Sequence, residues 1–339
     1  MIEQIERDSG KNPASKLLEE GRKLLRDAGI DNDRQEALMF LSEACGKPDL
    51  TWFQTEFLVS AEEKNRYEAF LNRRIAGEPV QYILGYAWFY GYRFHVSPDV
   101  LIPRFDTENL VEAALKRAEE IEAEDKAVPD KMVPGKEVLD KKTISKEVSD
   151  KQTISKEVSR HVSFEIKEGL RVLDLCTGSG AIGLSFAAER AKKEKSTLLD
   201  LLDISPDALR VARKNAEEIY PEANFYQSNL FSELEQDCTY DMILSNPPYV
   251  TAEEMEELPI DVKDHEPHLA LFGGSDGLDF YRKITKEAGN YLKPGGYLIF
   301  EIGCHQTEAV KNLLETNGYS KVEVIRDLSG LDRVVSACK

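Results

Sequence analysis

The stretch Arg171-Val172-Leu173-Asp174-Leu175-Cys176-Thr177-Gly178-Ser179-Gly180-Ala181-Ile182-Gly183 limits the possible folds of this chain more than any other. An apolar run of strand length breaks into a glycine-rich turn, and a helical pattern starts directly after it. Gly178 and Gly180 supply backbone angles and a close approach that a Cβ would block. From Gly169 onward the alternation continues. Strands are expected at 171–175, 198–203, 241–245 and 296–302, with a further pair near 321–326 and 332–337. Helices are expected near 181–192, 206–219, 279–291 and 305–316. This pattern specifies a doubly wound, Rossmann-like α/β sheet.

The first part of the chain reads differently. Leu17, Leu18, Leu24 and Leu25 recur at helical spacing, as do Ala37, Leu38, Leu41 and Ala44. Asp31 or Asp33 is expected to cap the second helix, and Ser60 with Glu63 has a capping-box pattern before a third. Residues 1–76 therefore form a small helical domain. Residues 77–103 read as a β-hairpin linker, with period-two alternation around Gly85 and Gly91. Asp106 or Thr107 can cap a helix that starts near Glu108. The remainder, 104–339, is the α/β domain, interrupted at 122–165 by a charged segment in which Lys-Glu-Val recurs every ten residues. That stretch reads as a mobile or loosely helical surface insertion that adds little core.

The glycine turn is followed, about twenty residues after Gly183, by a strand that ends at Asp203. An acid at that spacing either hydrogen-bonds a ribose diol or merely caps the next helix. Turn and acid together point to an adenosine-containing cofactor without selecting one. Asp174, near the end of the first strand, is placed to orient the loop or to meet an ammonium group. No hydride-transfer acid-base residue and no phosphate-loop lysine follow Gly183, where the chain runs Leu184-Ser185-Phe186. S-adenosylmethionine is favoured over a nicotinamide.

Asn246-Pro247-Pro248-Tyr249 follows the apolar run Asp241–Ser245. Two prolines cannot continue a sheet ladder, so the chain leaves the sheet there, at the strand end where open α/β sheets bind ligands. The amide oxygen and a proline carbonyl can accept the two hydrogens of a planar NH2 group, while the tyrosine ring packs on its plane. A plain Pro-Pro turn capped by Asn is the bland alternative.

Charge narrows the partners. With 62 acidic against 44 basic residues the formal net charge is −18, which lacks the broad basic footprint of a stable nucleic-acid binder. Five scattered cysteines, never spaced C-x-x-C, fit free thiols in a reducing cytoplasm and no metal site. No apolar run is long enough to span a bilayer. His265 and His268 have no partner motif and read as surface or packing residues.

Taken together the motifs resemble the HemK-type class I methyltransferases, which modify the glutamine of class I peptide chain release factors. Gly77 to Gly85 looks like that family's linker and Leu101 to Glu108 like its L-I-P-R-P-x-T-E segment. Asp174 to Gly183 looks like its cofactor loop, and Asn246 to Tyr249 is its N-P-P-Y. His265-Glu266-Pro267 with Ala270 to Gly274 resembles a downstream E-P, A-L, G-G block. The resemblance implies S-adenosylmethionine held by Asp174, Cys176, Thr177, Gly178, Ser179, Gly180, Asp203, Asn229, Leu230 and Asn246. It implies a glutamine held by Asn246, Pro247, Pro248, Tyr249 and Glu266, and a helical domain that docks the release factor. Three positions depart from the pattern: Phe105 replaces a proline, Cys176 a glycine, and Asn229 the aspartate of S-D-x-F. The rival reading is an N6-adenine methyltransferase on DNA or RNA, since adenine also presents a conjugated NH2.

Overall fold

The computed structural model describes residues 12–127, 169–235 and 238–339. Three helices, α1 (Ala14–Asp27), α2 (Asp33–Cys45) and α3 (Ala61–Ile75), pack their apolar faces into one cluster that includes Leu18, Leu25, Phe40, Leu41, Tyr67 and Leu71. The Ser60 hydroxyl and the Glu63 carboxylate form the full capping box at α3. At α2 the expected cap is absent. The boundary residue is Asn32, with no side-chain cap, and Asp33 lies within the first turn, where its carboxylate holds Arg22 and Arg26.

The linker is only partly a hairpin. Val80–Leu84 form a short helix, α4, because Val80 and Ile83 bury one helical face against the α1–α3 cluster. Strands β1 (Tyr86–Phe89) and β2 (Tyr92–His95) then pair antiparallel around Tyr90 and Gly91. Both turn residues have positive φ, 50° and 78°, as a tight two-residue hairpin requires. Helix α5 (Glu108–Ala127) follows a single 3-10 turn, Phe105–Thr107. The expected insertion begins inside α5. Its residues 122–127 are helical, and 128–165 lie outside the described residues.

The second layer set is a seven-stranded sheet. Its strands are β3 (Leu170–Leu175), β4 (Thr197–Asp203), β5 (Asn224–Gln227), β6 (Tyr240–Ser245), β7 (Leu292–Glu301), β8 (Ser320–Arg326) and β9 (Asp332–Cys338). They lie in the order β8-β9-β7-β6-β3-β4-β5, with β9 antiparallel to β7 and to β8 and the other pairs parallel. Helices α6 (Ala181–Lys192) and α7 (Pro206–Ile219) connect β3, β4 and β5, and α8 (Asp279–Glu287) and α9 (Thr307–Thr316) serve the other half. Alternate residues bury both faces. Val172, Leu199, Met242 and Ile299 face one core, and Leu173, Leu202, Ile243 and Leu298 face the other. Strand β5 is absent from the expected set because its Asn-Phe-Tyr-Gln sequence lies exposed at the sheet edge and shows no apolar run.

This strand order locates the site. The chain runs outward through β3, β4 and β5, then returns to place β6 on the other side of β3. The last residues of these neighbours, Leu175 and Ser245, are in register. The glycine loop and the Asn-Pro-Pro-Tyr segment therefore leave the sheet side by side at its topological switch point.

Candidate active site

Beneath the glycine loop, Asp174 is fully buried. Its Oδ2 accepts from the Thr177 hydroxyl at 2.6 Å and from the Gly183 N–H at 3.0 Å, which bends the loop back over the strand. An added Cβ at Gly183 would sit 2.9 Å from Asp174, so glycine there allows α6 to pack on β3. Of its two expected tasks, Asp174 performs the bracing of the loop. Its Oδ1 is buried without a partner among the described residues.

Burial raises the Asp174 carboxyl from 3.8 to about 7, against the Thr177 and Gly183 hydrogen bonds. Between those two values the folded protein binds the proton more tightly than the unfolded chain. This contribution to stability is therefore present below pH 3.8 and lost as pH rises through about 7. Asp174→Asn removes the titration and keeps an acceptor. The melting temperature of the variant relative to the parent is expected to climb between pH 5 and pH 8. A difference that stays constant with pH would contradict this assignment.

Asp203 ends β4 and ties the loop from the other side. Its Oδ2 accepts from Gly178 N–H and its Oδ1 from Ser205 N–H, both at 2.9 Å. The cap of α7 is Ser205, whose hydroxyl accepts from Ala208 N–H. Asp203 is thus not the helix cap.

A cleft of about 210 Å³ opens over these residues. Cys176, Thr177, Gly178, Ser179, Asp203, Asn229, Leu230, Asn246 and Pro248 line it. Two of its walls are strained. Cys176 has φ 61° and Leu230 has φ 53°, a region that costs an L-residue about 1–2 kcal/mol. An added Cβ at Gly178, φ 56°, meets no protein atom within 4 Å, so the space above it belongs to the cleft. Asp174 and Gly180 support the loop from outside the cleft. Burial pushes the Cys176 thiol well up, which keeps it protonated and unreactive at neutral pH.

A second cavity of about 470 Å³ adjoins the first. Tyr249, Val250, Leu258 and Glu301 help to line it, and Leu101, Arg104, Asn246 and Ala270 line both. The Asn246 Nδ2 group donates to the Thr107 hydroxyl oxygen at 3.4 Å. With its nitrogen so engaged, Asn246 retains Oδ1 as an acceptor for a further donor. Tyr249 donates its hydroxyl to Glu301 Oε1 at 3.2 Å, and its backbone carbonyl accepts from the Gln306 side chain at 3.0 Å.

Pro247 is buried and lines neither cavity. Glu266 also lines neither. Its carboxylate is committed to Arg104 and to the Ile102 N–H, so it reaches the cavities only through Arg104. His265 and His268 line neither cavity, and the His268 ring nitrogen meets the Lys263 carbonyl at 3.1 Å. All five cysteines are free thiols. Among the described residues no helix is long and apolar enough to cross a membrane.

Residues 16–85 match the family described as PrmC N-terminal domain, and residues 159–260 the family described as Methyltransferase small domain. A release factor glutamine methyltransferase of Clostridium acetobutylicum is 35% identical over 287 residues, 84% of this chain and 83% of the relative. One of Geobacter sulfurreducens is 33% identical over 321 residues, 94% of each chain. The chain belongs to the release factor glutamine methyltransferase family. A solved release-factor-specific protein-(glutamine-N5) methyltransferase of Alicyclobacillus acidocaldarius overlaps 73% of this chain and 99% of its own, with 23% identity and a TM-score of 0.35.

The three departures from the family pattern take on physical meaning. Cys176 holds the left-handed backbone that the usual glycine adopts without strain. Phe105 stands 68% exposed in the 3-10 turn, where a proline's fixed φ is replaced by an apolar side chain in solvent. Asn229 lies exposed at the cleft rim. A carboxylate there accepts a hydrogen bond about twice as strongly as an amide oxygen. Asn229→Asp is expected to tighten the dissociation constant for S-adenosylmethionine by roughly two- to tenfold in calorimetry. Unchanged or weaker binding would place Asn229 away from the cofactor.

Three residues at the site receive no site role from sequence reasoning, although Thr107 and Gly273 lie in matching segments. Thr107, expected only as a helix cap, meets Asn246. Glu301 ends β7 as an acid after a wholly apolar run, the same signal that exposed Asp174 and Asp203. Gly273 lies against the Pro248 carbonyl and the Tyr249 backbone.

Proposed function

We propose that the chain transfers the methyl group of S-adenosylmethionine to the side-chain amide nitrogen (N5) of a glutamine in class I peptide chain release factors. One observation carries the reading: two cavities meet at Asn246, one floored by the glycine loop and Asp203, the other walled by Tyr249 and Glu301. The first suits the cofactor. Its Gly178 leaves open space for close approach, and its two strained residues are of the kind found at ligand sites. The second suits an amide side chain that arrives from solvent. The bound cofactor would supply an electrophilic methyl carbon on a sulfonium sulfur.

An amide nitrogen is a poor nucleophile because its lone pair is delocalised into the carbonyl. In this reading the Asn246 Oδ1 accepts a hydrogen of that nitrogen and helps to fix its plane, while Pro247, expected to share the task, lines neither cavity. That bond strengthens as positive charge grows on nitrogen, so it acts on the transition state more than on the ground state. The Tyr249 ring holds the amide plane, and alignment of this kind is worth up to about 7–11 kcal/mol. Methyl transfer to that nitrogen would leave the cofactor sulfur as a neutral thioether, and the methylated nitrogen would give its proton to solvent. Glu266 steadies the rim by holding Arg104 and the Leu101–Arg104 segment. The helical domain supplies the docking face for the factor.

The test is intact-mass analysis of a release factor incubated with the protein and S-adenosylmethionine, followed by mapping of the modified residue. One added methyl on a glutamine is expected. Transfer of labelled methyl to duplex or RNA instead would favour adenine as the acceptor.

A further inference from the structure

Tyr249 walls the second cavity, and its ring has to be steady if an amide is to be aligned on it. The hydroxyl end is held by Glu301 Oε1 at 3.2 Å. The backbone end is held by Gln306, a half-buried residue at the start of α9 that lines neither cavity. The Gln306 Nε2 group donates to the Tyr249 carbonyl at 3.0 Å and to the Gly277 carbonyl at 3.3 Å. Its Oε1 accepts from the Gly303 N–H at 3.0 Å. One side chain thus joins three loops: the one leaving β6, the one before α8 and the one leaving β7.

Each atom of that amide is used in the sense its chemistry allows. An NH2 group supplies two donors for two carbonyl oxygens, and the amide oxygen supplies an acceptor for an N–H. Turned over, the amide would set its oxygen against two carbonyls and its NH2 against an N–H, so its orientation is fixed. The surroundings leave room for it. A Cβ on Gly277, φ 71°, would strike the Tyr249 carbonyl oxygen and Gln306 Nε2. One on Gly303 would lie 3.0 Å from Gln306 Oε1 and 3.5 Å from Tyr249 Cδ2. The Tyr249 carbonyl and the Val250 N–H belong to one peptide unit, and the Val250 N–H donates to the Leu271 carbonyl at 2.9 Å. That peptide is therefore held on both edges, by Gln306 on one and by Leu271 on the other.

We infer that Gln306 is a positioning residue for methyl transfer, which sets the Tyr249 ring by locking the peptide that follows it. This deepens the function proposed above and rests on it. Without the Gln306 donors, the peptide keeps only its Val250 anchor and can rotate about it, and the ring tilts with the Tyr249 Cα. A tilted ring no longer holds the substrate amide in line. The glycine loop and Asp203 keep their own hydrogen bonds, so the cofactor side is untouched.

Two variants test this. Gln306→Met keeps the length of the side chain and removes all three bonds, whereas Gln306→Glu keeps the acceptor for Gly303 and removes both donors. Each is compared with the parent in single-turnover methyl transfer to a release factor and in calorimetry with S-adenosylmethionine. Both are expected to lose roughly 10–50-fold in kcat, less than the about 10² that a full 1 Å misplacement costs. Affinity for S-adenosylmethionine should stay within about twofold of the parent. A double-mutant cycle with Tyr249→Ala then shows whether the ring is the intermediary. Gln306→Met is expected to cost less than about threefold in that background, because the group it positions is already gone.

A Gln306→Glu rate within twofold of the parent, a matching loss of cofactor affinity in both variants, or effects that multiply in the cycle would overturn the inference. Failure of the underlying reaction reads differently. An Asn246→Ala variant that methylates normally would sink the methyl-transfer reading itself. An inert Asn246→Ala beside a fully active Gln306→Met would sink the role of Gln306 alone.

Discussion

Asn246→Ala is expected to reduce kcat by roughly 10²–10³-fold or more, the scale seen when one preorganised polar contact to developing charge is removed. The affinity for S-adenosylmethionine should change little, because the glycine loop and Asp203 remain braced by backbone hydrogen bonds that do not involve Asn246. The split is the informative part. Asn246 lines both cavities, so a purely structural role would weaken cofactor binding and turnover together. Single-turnover kinetics beside calorimetry separate the two, and equal loss in both would rule out a role in the chemical step.

Gly273→Ala should have the second-largest effect, at a residue that touches no cavity. Its added Cβ would fall 2.6 Å from both the Pro248 carbonyl oxygen and the Tyr249 Cα, and 2.9 Å from the Tyr249 carbonyl carbon. These are backbone atoms and cannot rotate aside. The segment is also pinned from both ends of a short bridge, with Val250 N–H on the Leu271 carbonyl and Gly273 N–H on the Val250 carbonyl, each at 2.9 Å. The clash must therefore move Asn246–Tyr249 or break the bridge. Overpacking of this kind costs about 1–3 kcal/mol of stability. A misplacement of about 1 Å at a reacting group costs about 10² in rate. Both a lower melting temperature and a kcat about 100-fold lower are expected. Gly289→Ala, whose Cβ would meet only the Tyr319 hydroxyl at 3.7 Å, should leave the rate unchanged and serves as the control. Normal kcat in Gly273→Ala would show that the segment tolerates displacement, contrary to an alignment mechanism.

Gly273 also explains why some of the site was legible in the sequence and some was not. The cofactor loop is local. Strand, turn, glycines and Asp203 lie within about thirty residues, and each leaves a mark of periodicity or spacing. The Asn-Pro-Pro-Tyr segment is local too. Thr107, Glu301 and Gly273 come together with it only through topology, because the return of β6 beside β3 brings the start of α5 and the end of β7 to one place. No short window contains that encounter. Glu266 looked like a substrate contact because it belongs to the E-P part of the matching block, yet its carboxylate is engaged by Arg104 and the Ile102 N–H.

The fold misreadings have equally specific causes. Val80-Gln81-Tyr82-Ile83-Leu84 alternates like a strand but is short enough to follow its tertiary contacts into a helix. Strand β5 is held by its backbone pairing with β4, and its exposed side chains send no hydrophobic signal. Asp33 resembles a cap but is recruited by two arginines of α1.

The most direct test of the account is a crystal structure with S-adenosylhomocysteine and a glutamine-containing release factor peptide. The glutamine amide should occupy the cavity beside Tyr249, with its nitrogen at hydrogen-bond distance from Asn246 Oδ1 and facing the cofactor sulfur across Asn246. A glutamine bound elsewhere, or a sulfur directed away from Asn246, would contradict it.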